Sequence, residues 1–206
     1  DLFKSANMYS EVGFDGTSTS EEVQAIVMDE YIETFIHNQT GKNFKELGFK
    51  GLGMLLMGST GNGKTFYSDC VYNELSKQGY VVYRTTVLDI FFTFQDTFKK
   101  DSKINTRDII RELKECDLII LDDLGSENIS ENWGEQSIYS LINFIITNHI
   151  SLIISTNLSL EDLRNHLSVK QDGKLLDRIK EKCKLFVFDW ESRRGKTYKK
   201  EFEELY

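Results

Sequence analysis

The stretch Gly58-Ser59-Thr60-Gly61-Asn62-Gly63-Lys64-Thr65 decides the fold of this chain, because it fits the pattern G-x-x-x-x-G-K-[ST]. Glycines let successive backbone N–H groups turn toward one anion, and a helix that begins near Lys64 directs its positive dipole end at the same place. In such a loop the lysine reaches the β- and γ-phosphates of a nucleotide, and the Thr65 hydroxyl ligates Mg²⁺. We therefore predict that residues 58–66, with Phe66 as the last member, bind ATP or ADP with Mg²⁺.

The residues on either side of this loop give it the setting that phosphate binding requires. Residues 52–57 (LGMLLM) are apolar and predict a buried strand, and Tyr67, Cys70, Val71 and Leu75 recur at helical spacing after the loop. Taken alone, the loop could be a glycine-rich turn without a ligand. The order of strand, glycine loop and helix favours the phosphate-binding interpretation.

The rest of the chain alternates between strand and helix patterns. Short apolar runs predict strands at residues 80–83, 118–121, 152–155 and 185–188. Helical spacing of apolar side chains predicts helices at residues 21–38, 87–98, 106–116, 135–149, 160–166 and 174–182. Strands that are apolar throughout are typical of a parallel sheet covered on both faces. The predicted fold class is α/β, a three-layer P-loop NTPase with a parallel sheet flanked by helices.

Length and composition agree with one compact domain. The chain has 206 residues, of which 40% are hydrophobic, enough to bury a full core. Residues 1–20 are predicted to be a linker or tail, and residues 21–206 the folded domain. Because the chain starts at Asp1 rather than Met, we expect a fragment that has lost an upstream region.

No apolar run approaches the ~18 residues of a membrane span and no secretory signal is visible, so a cytoplasmic location without membrane contact is expected.

The cysteines and the net charge argue against several kinds of site. Cys70, Cys116 and Cys183 lie far apart without C-x-x-C spacing, so we expect buried, reduced thiols rather than a metal site or a disulfide. A net charge of −8 argues against a general polyanion-binding surface. Nucleic-acid contact must then come from basic patches at residues 99–103 and 193–200, although such patches are more often simply solvated.

A pair of carboxylates follows the second long apolar strand. The run LIIL ends in Asp122 and Asp123, 58 residues after Lys64 (122 minus 64). A buried parallel strand places Asp122 at its carboxyl end, beside the glycine loop. There the Asp122 carboxylate can hold Mg²⁺ through water. Asp123 is then positioned to orient or deprotonate the attacking water. Without the loop upstream, the same pair could simply cap the next turn.

The following strand ends in Ser155-Thr156-Asn157. A polar residue at the tip of a strand that adjoins the loop's own strand can hydrogen-bond the γ-phosphate or the attacking water. Alternatively, Asn157 only starts a turn, and Ser159 caps the helix that contains Asp162. The residues alone leave both interpretations open.

The order of these motifs resembles that of AAA+ ATPases. More closely, the chain resembles the bacterial replicative-helicase loaders of the DnaC/DnaI type and their relative, the IstB transposase helper. The resemblance runs from about Leu52 to Arg194, and it is carried by GSTGNGKT, VLDIFFTFQDTF, LIILDDLG, STN, LLDRIKEK and FDWESRR.

The resemblance implies further roles for residues that the pattern alone does not assign. Asn157 matches the first sensor, Arg178 in LLDRIKEK the arginine finger that reaches a neighbouring subunit, and Arg194 in FDWESRR the second sensor. With Asp123 these residues form the predicted catalytic set. A finger supplied in trans stabilises transition-state charge only after assembly, so we expect self-association and weak, assembly-dependent hydrolysis. From the residues alone, both arginines would be surface side chains.

Three departures from the family pattern qualify these roles. Asp123 stands where most AAA+ proteins have Glu, although relatives of the loader type also use Asp. The helix ahead of the sensor strand often carries an arginine in relatives, where this chain has Asn143-Phe144-Ile145. Arg193 lies beside Arg194, which leaves open which of the two is the second sensor.

The loader resemblance also implies a surface for single-stranded DNA. In these proteins the element that corresponds to residues 87–98 faces the strand, and here it carries Phe91, Phe92, Phe94 and Phe98, with Lys99 and Lys100 after it. Aromatic faces and lysines together can bind bases and phosphates. Most of the phenylalanines are still expected in the core, with at least one available for weak DNA contact.

The predicted function is an AAA+ ATPase domain of a helicase loader that uses MgATP to help deliver a replicative helicase onto single-stranded DNA. The helicase contact is expected to lie in the missing N-terminal region. Three alternatives stay open: a transposase-associated ATPase of the IstB type, a P-loop nucleotide kinase, and an ATP-dependent binding switch without turnover. A kinase would transfer phosphate to a small acceptor as a monomer, whereas an AAA+ protein needs a neighbour.

Overall fold

A computed structural model describes residues 53–99, 105–126, 134–167, 174–190 and 192. The strands are β1 Gly53–Gly58, β2 Val82–Thr86, β3 Leu118–Asp122, β4 Ser151–Thr156 and β5 Cys183–Phe188. The helices are α1 Lys64–Lys77, α2 Val87–Asp96, α3 Thr106–Lys114, α4 Gly134–Thr147, α5 Leu160–Leu167 and α6 Lys174–Lys182. The linker at residues 1–20 and the helix predicted at residues 21–38 lie outside the described residues.

The five strands form one parallel sheet in the order β2-β3-β4-β1-β5. β1 therefore lies between β4 and β5, with Leu55 in register with Ile154 on one side and Leu185 on the other. Parallel strands present their carboxyl ends at one edge of a sheet, and ligands of α/β proteins bind there. The glycine loop after β1 and the polar residues that end β3 and β4 consequently meet at this edge.

Helices cover the sheet on both faces, as the apolar strands predict. On one face α1 buries Tyr67, Val71 and Leu75 against β1, β3 and β4. On the opposite face, helices α2 to α6 contribute buried apolar side chains to a second cluster. All residues of β3 and β4 are buried. The three-layer α/β prediction is thus confirmed.

The edge strands depart from the prediction of strands covered on both faces. In β5, which is an edge strand of the described sheet, Leu185 and Val187 are exposed. β2 was predicted at residues 80–83 but runs from Val82 to Thr86. Its second half is polar, so the apolar pattern ends before the strand does, and pairing with β3 keeps residues 84–86 extended.

Several helix ends also differ from the predicted ones. The Thr86 side chain accepts a hydrogen bond from the Asp89 backbone N–H at 3.1 Å and so caps α2. α2 ends at Asp96 rather than residue 98, α3 at Lys114 rather than 116, and α4 at Thr147 rather than 149. His149, with φ of 61°, has the left-handed backbone that commonly follows a helix end.

The three cysteines are free thiols. Cys70 and Cys183 are buried as predicted, whereas Cys116, predicted to be buried, is only partly so. Burial raises the pKa of Cys183 to about 12, so this thiol stays protonated at neutral pH. Of the helices in the described part of the chain, none has the length and apolar character needed to cross a bilayer.

Candidate active site at the carboxyl edge of the sheet

The glycine loop joins the end of β1 to the start of α1, as predicted. Gly61 and Gly63 have φ angles of 88° and 100°, which glycine adopts without the steric penalty of a Cβ atom. A Cβ atom on Gly58 would overlap the Phe188 carbonyl oxygen and the Asn62 side chain. The glycines are therefore required by backbone conformation and by close packing against β5.

Asn62 anchors this loop to the end of β5. Its side chain is 1% exposed, and Nδ2 donates to the Phe188 carbonyl oxygen at 2.5 Å. The sequence placed Asn62 among the nucleotide-binding residues without assigning it an anchoring role. No local pattern could have revealed this contact, because its partner is 126 residues away.

Lys64 is held inside the loop. It is 5% exposed, and Nζ donates to the carbonyl oxygens of Gly58 and Ser59 at 2.7 and 2.8 Å. Nζ also donates to Asn157 Oδ1 at 2.8 Å. The ammonium group is thus held at the glycine loop, and its role in phosphate binding stays a prediction.

The contact with Lys64 bears on the two interpretations of Asn157. The residue follows the end of β4 and lies directly at the loop, as the first-sensor interpretation requires. Ser159 also caps α5, because its Oγ accepts from the Asp162 backbone N–H at 3.1 Å. The cap and the contact at the loop therefore coexist, and the catalytic role of Asn157 stays a prediction.

Asp122 ends β3 as a nearly buried carboxylate, 6% exposed. Ser155 Oγ donates to its Oδ1 at 3.0 Å, and Arg84 Nε donates to its Oδ2 at 2.6 Å. Arg84 also forms an ion pair with Asp69 of α1. Burial raises the pKa of Asp69, while the Arg84 guanidinium opposes that rise.

The strand tip that contains Ser155 was noted from the sequence, but no role was assigned to Ser155, Arg84 or Asp69. Two signals could have indicated Asp69 and Arg84. Asp69 lies four residues after Thr65 and hence on the same face of α1. Arg84 pairs in register with Ile120, two residues before Asp122, so both side chains project from one face of the sheet. The second signal needs the strand order, which the sequence does not provide.

Asp123 lies in a turn that is fastened to β4. Its φ of 55° is in the left-handed region, which aspartate adopts more readily than most residues with a side chain. Its backbone N–H donates to Ser155 Oγ at 3.0 Å, and the next N–H, of Leu124, donates to the Ser155 carbonyl at 2.9 Å. Hydrogen bonds to β4 thus fix the backbone of this turn next to the site.

The donor set at this edge fits Mg²⁺. Thr65 is exposed at the first turn of α1, and Asp122 supplies a carboxylate, so both potential ligands are oxygen atoms. The described residues contain no group of three or more His, Cys, Asp or Glu side chains able to hold a metal ion. Mg²⁺ commonly keeps several waters and takes its other ligands from substrate phosphates, which agrees with so few protein ligands.

The remaining predicted residues lie in different surroundings. The Phe66 ring packs edge-to-face on Tyr67, with centroids 5.5 Å apart. Arg178 is exposed on α6 and donates to Asn143 Oδ1 on α4. Arg193 and Arg194 lie outside the described residues.

The three phenylalanines of α2 and Phe98, which follows the helix, divide between core and surface. Phe91 is buried and Phe94 packs against the core cluster, whereas Phe92 and Phe98 are 52% and 74% exposed. Lys99 is exposed, and its Nζ lies 2.5 Å from Asp96 Oδ1. Residues 100–103 and the basic residues 193–200 lie outside the described residues.

Comparison with known proteins identifies relatives of this chain. The sequence profile of the family described as IstB-like ATP binding protein matches residues 49–201. The replicative helicase loader DnaI of Bacillus subtilis (strain 168) is 27% identical over 165 residues, which cover 74% of this chain and 50% of DnaI. The chain spans about half the length of the curated relatives it matches.

Solved structures establish the fold. The crystal structure of the DnaC helicase loader aligns with a TM-score of 0.66 and 22% identity, over 84% of this chain and 93% of that one. The replication initiator DnaA bound to AMPPCP and single-stranded DNA aligns with a TM-score of 0.62 and 19% identity, over 94% of this chain and 54% of that one. The fold is that of AAA+ P-loop NTPases.

Proposed function

Because the chain belongs to the family of IstB-like ATP-binding proteins, we propose that it is the ATPase domain of a replicative-helicase loader. The observation that carries this proposal is the convergence of Lys64, Asp122 and Asn157 at one edge of the sheet, where the Lys64 and Asn157 side chains are 2.8 Å apart. The similarity to DnaI supports the loader role over other AAA+ functions.

Each residue of the site has a defined task in ATP hydrolysis. Lys64 exchanges loop carbonyls for phosphate oxygens, and the N–H groups of residues 58–66 surround the same phosphates. Thr65 and, through water, Asp122 would hold Mg²⁺, which when bound would supply positive charge to offset that of the phosphates. Asp123 orients the attacking water, and Asn157 contacts the γ-phosphate. Hydrogen bonds from the backbone N–H groups of Asp123 and Leu124 to Ser155 fix the turn that carries this carboxylate.

Arg178 completes the site of a neighbouring copy. The side chain is exposed on α6, so it is available to another molecule, and its hydrogen bond to Asn143 restricts its direction. A single domain without this charge hydrolyses ATP slowly, whereas an assembled pair supplies it. Hydrolysis is therefore expected to depend on assembly.

The proposal is tested by mixing two inactive variants. Arg178→Ala retains nucleotide binding but loses the rise of specific activity with protein concentration, and Asp123→Asn loses hydrolysis at its own site. Mixed together, they regain part of the activity, because each supplies the group that the other lacks. Arg164→Ala is the matched control, since Arg164 is also exposed and pairs only weakly with Asp177, at 3.8 Å. A concentration-independent rate that Arg178→Ala leaves unchanged would refute the trans-acting finger.

The same site would also serve a transposase-associated ATPase, and the family description keeps that second function open. The two differ in their partner. We expect the full-length protein to retain a replicative helicase in a pull-down from its host. Retention of a transposase instead would establish the second function and remove the first.

Single-stranded DNA is the proposed nucleic-acid partner. The DnaA structure that shares this fold holds single-stranded DNA, and Phe92 on α2 and Phe98 just after it are exposed to solvent. With a net charge of −8, binding must rest on this local surface and weaken steeply with salt.

A further inference from the structure

Arg84 lies between the sheet and α1, next to the residues assigned to Mg²⁺. Its Nε donates to Asp122 Oδ2 at 2.6 Å, and its guanidinium pairs with Asp69 on the other side. Asp69 follows Thr65 by one helical turn, so its carboxylate lies on the face of α1 that also carries the Thr65 hydroxyl. The guanidinium is thus flanked by two carboxylates beside the proposed metal ligands.

The pair between Arg84 and Asp122 is sheltered from water. The side chains are 27% and 8% exposed, whereas that of Asp69 is 44% exposed. Charges interact more strongly where solvent is excluded. Asp69 therefore anchors Arg84 from the more exposed side. The positive charge of Arg84 acts more strongly on the Asp122 carboxylate than on that of Asp69.

Both oxygens of Asp122 accept hydrogen bonds from protein groups. Oδ1 accepts from Ser155 Oγ at 3.0 Å and Oδ2 from Arg84. Ser155 fixes the carboxylate without changing its charge, but Arg84 also offsets that charge. A cation approaching Asp122 competes with the guanidinium for the same negative charge.

We propose that Arg84 is a positioning residue that sets the Mg²⁺ requirement of the nucleotide site. By offsetting the charge of Asp122, it keeps Mg²⁺ affinity low until phosphate oxygens are present, so the metal binds together with nucleotide. This inference rests on the proposed MgATP site and adds a residue that controls it.

The test measures binding of AMPPCP by calorimetry at a series of free Mg²⁺ concentrations. Arg84→Gln lowers the Mg²⁺ concentration needed for half of the maximal gain in affinity, by about three- to tenfold. With Mg²⁺ chelated, the same variant binds AMPPCP no more tightly than the unmutated protein, because it has lost a positive charge. Arg111→Gln, which removes an exposed arginine on α3 paired with Asp108 at 3.6 Å, leaves the midpoint unchanged.

Asp69→Asn provides a second variant with the opposite expected sign. Removing this carboxylate releases Arg84 toward Asp122 and takes one negative charge from the site, so the Mg²⁺ midpoint rises. In the Arg84→Gln background the effect of Asp69→Asn shrinks, because the guanidinium that linked the two carboxylates is gone. Should Arg84→Gln fail to fold, the Mg²⁺ midpoint can still be measured on Asp69→Asn, because Asp69 is half-exposed.

The outcomes separate this inference from the proposed function. The role of Arg84 is overturned, with the MgATP site left intact, if folded Arg84→Gln has an unchanged or raised Mg²⁺ midpoint. If Arg84→Gln does not fold, an unchanged Mg²⁺ midpoint in Asp69→Asn overturns that role instead. If the unmutated protein binds AMPPCP without any Mg²⁺ dependence, the metal site and this inference both fail. If it binds no AMPPCP, the proposed function fails.

Discussion

Lys64 and Asn157 lie 93 residues apart in the sequence and 2.8 Å apart in space. Asn157 directly follows β4 and accepts a hydrogen bond from the P-loop lysine. A nucleotide phosphate at the loop is an acceptor for the same ammonium group, so Asn157 is in a position to respond to what Lys64 binds. This is the physical basis for assigning it the sensor role.

Gly58 shows how tightly the loop is fitted to its surroundings. Because an added Cβ would overlap the Phe188 carbonyl, Gly58→Ala must displace either the loop or the end of β5. We expect it to lower the free energy of unfolding by about 2–3 kcal/mol and to weaken nucleotide binding. Urea denaturation followed by circular dichroism measures the first effect.

Gly79→Ala is the control for this substitution. Gly79 also has a positive φ, 88°, but a Cβ there meets nothing within 4 Å, so only backbone strain of roughly 1–2 kcal/mol is expected. If both variants lose the same stability and Gly58→Ala binds nucleotide normally, the close fit between loop and β5 is not required.

Among the elements, α2 combines a structural and a surface role. Its first residues bury Val87, Ile90 and Phe91 in the core, which fixes the helix against β2. Leu88, Phe92 and Phe98 remain exposed. Helical spacing predicts that such a helix has an apolar face, but it does not predict which of four phenylalanines point outward.

The exposed phenylalanines are expected to bind single-stranded DNA by stacking. Phe92→Ala with Phe98→Ala should leave stability within about 0.5 kcal/mol and weaken binding by roughly 1–3 kcal/mol per stacked base. Fluorescence anisotropy with labelled oligo-dT in the presence of ATP measures the affinity. Phe91→Ala should instead destabilise the fold by about 3–5 kcal/mol, because it opens a cavity in the core.

Leu88→Ala is the matched surface control, since Leu88 lies on the same helix and is 42% exposed but has no aromatic face. It should leave DNA affinity unchanged. Unaltered affinity in the double phenylalanine variant would remove α2 from the DNA surface.

In the molecule as a whole, the patterns that could be predicted are local ones. The glycine loop, the LIILDD strand and the STN strand tip each contain their signal within a few residues, so the fold class and most elements followed from them. The ion pairs of Arg84 and the contact between Asn62 and Phe188 depend on sheet order and register. Those arise from packing of the whole chain, and no short stretch of sequence contains them.

The edge strands show the same limit. β2 continues through polar residues because β3 pairs with it. Its Arg84 forms ion pairs with Asp122 at the end of β3 and with Asp69 on α1. An isolated sequence pattern predicts a strand by its apolar residues and therefore ends β2 too early. The residue that the strand prediction omitted is the one that we propose controls the metal site.

Nucleotide binding at the glycine loop is the property on which all these roles depend. Calorimetry with ATP and Mg²⁺ should show binding by the unmutated protein and a loss of about tenfold or more in affinity for Lys64→Ala, as expected when a charged hydrogen bond is removed. Lys77→Ala, at the exposed end of the same helix, should bind as the unmutated protein does. Equal affinity in Lys64→Ala and Lys77→Ala, with both proteins folded, would contradict the assignment of the nucleotide site.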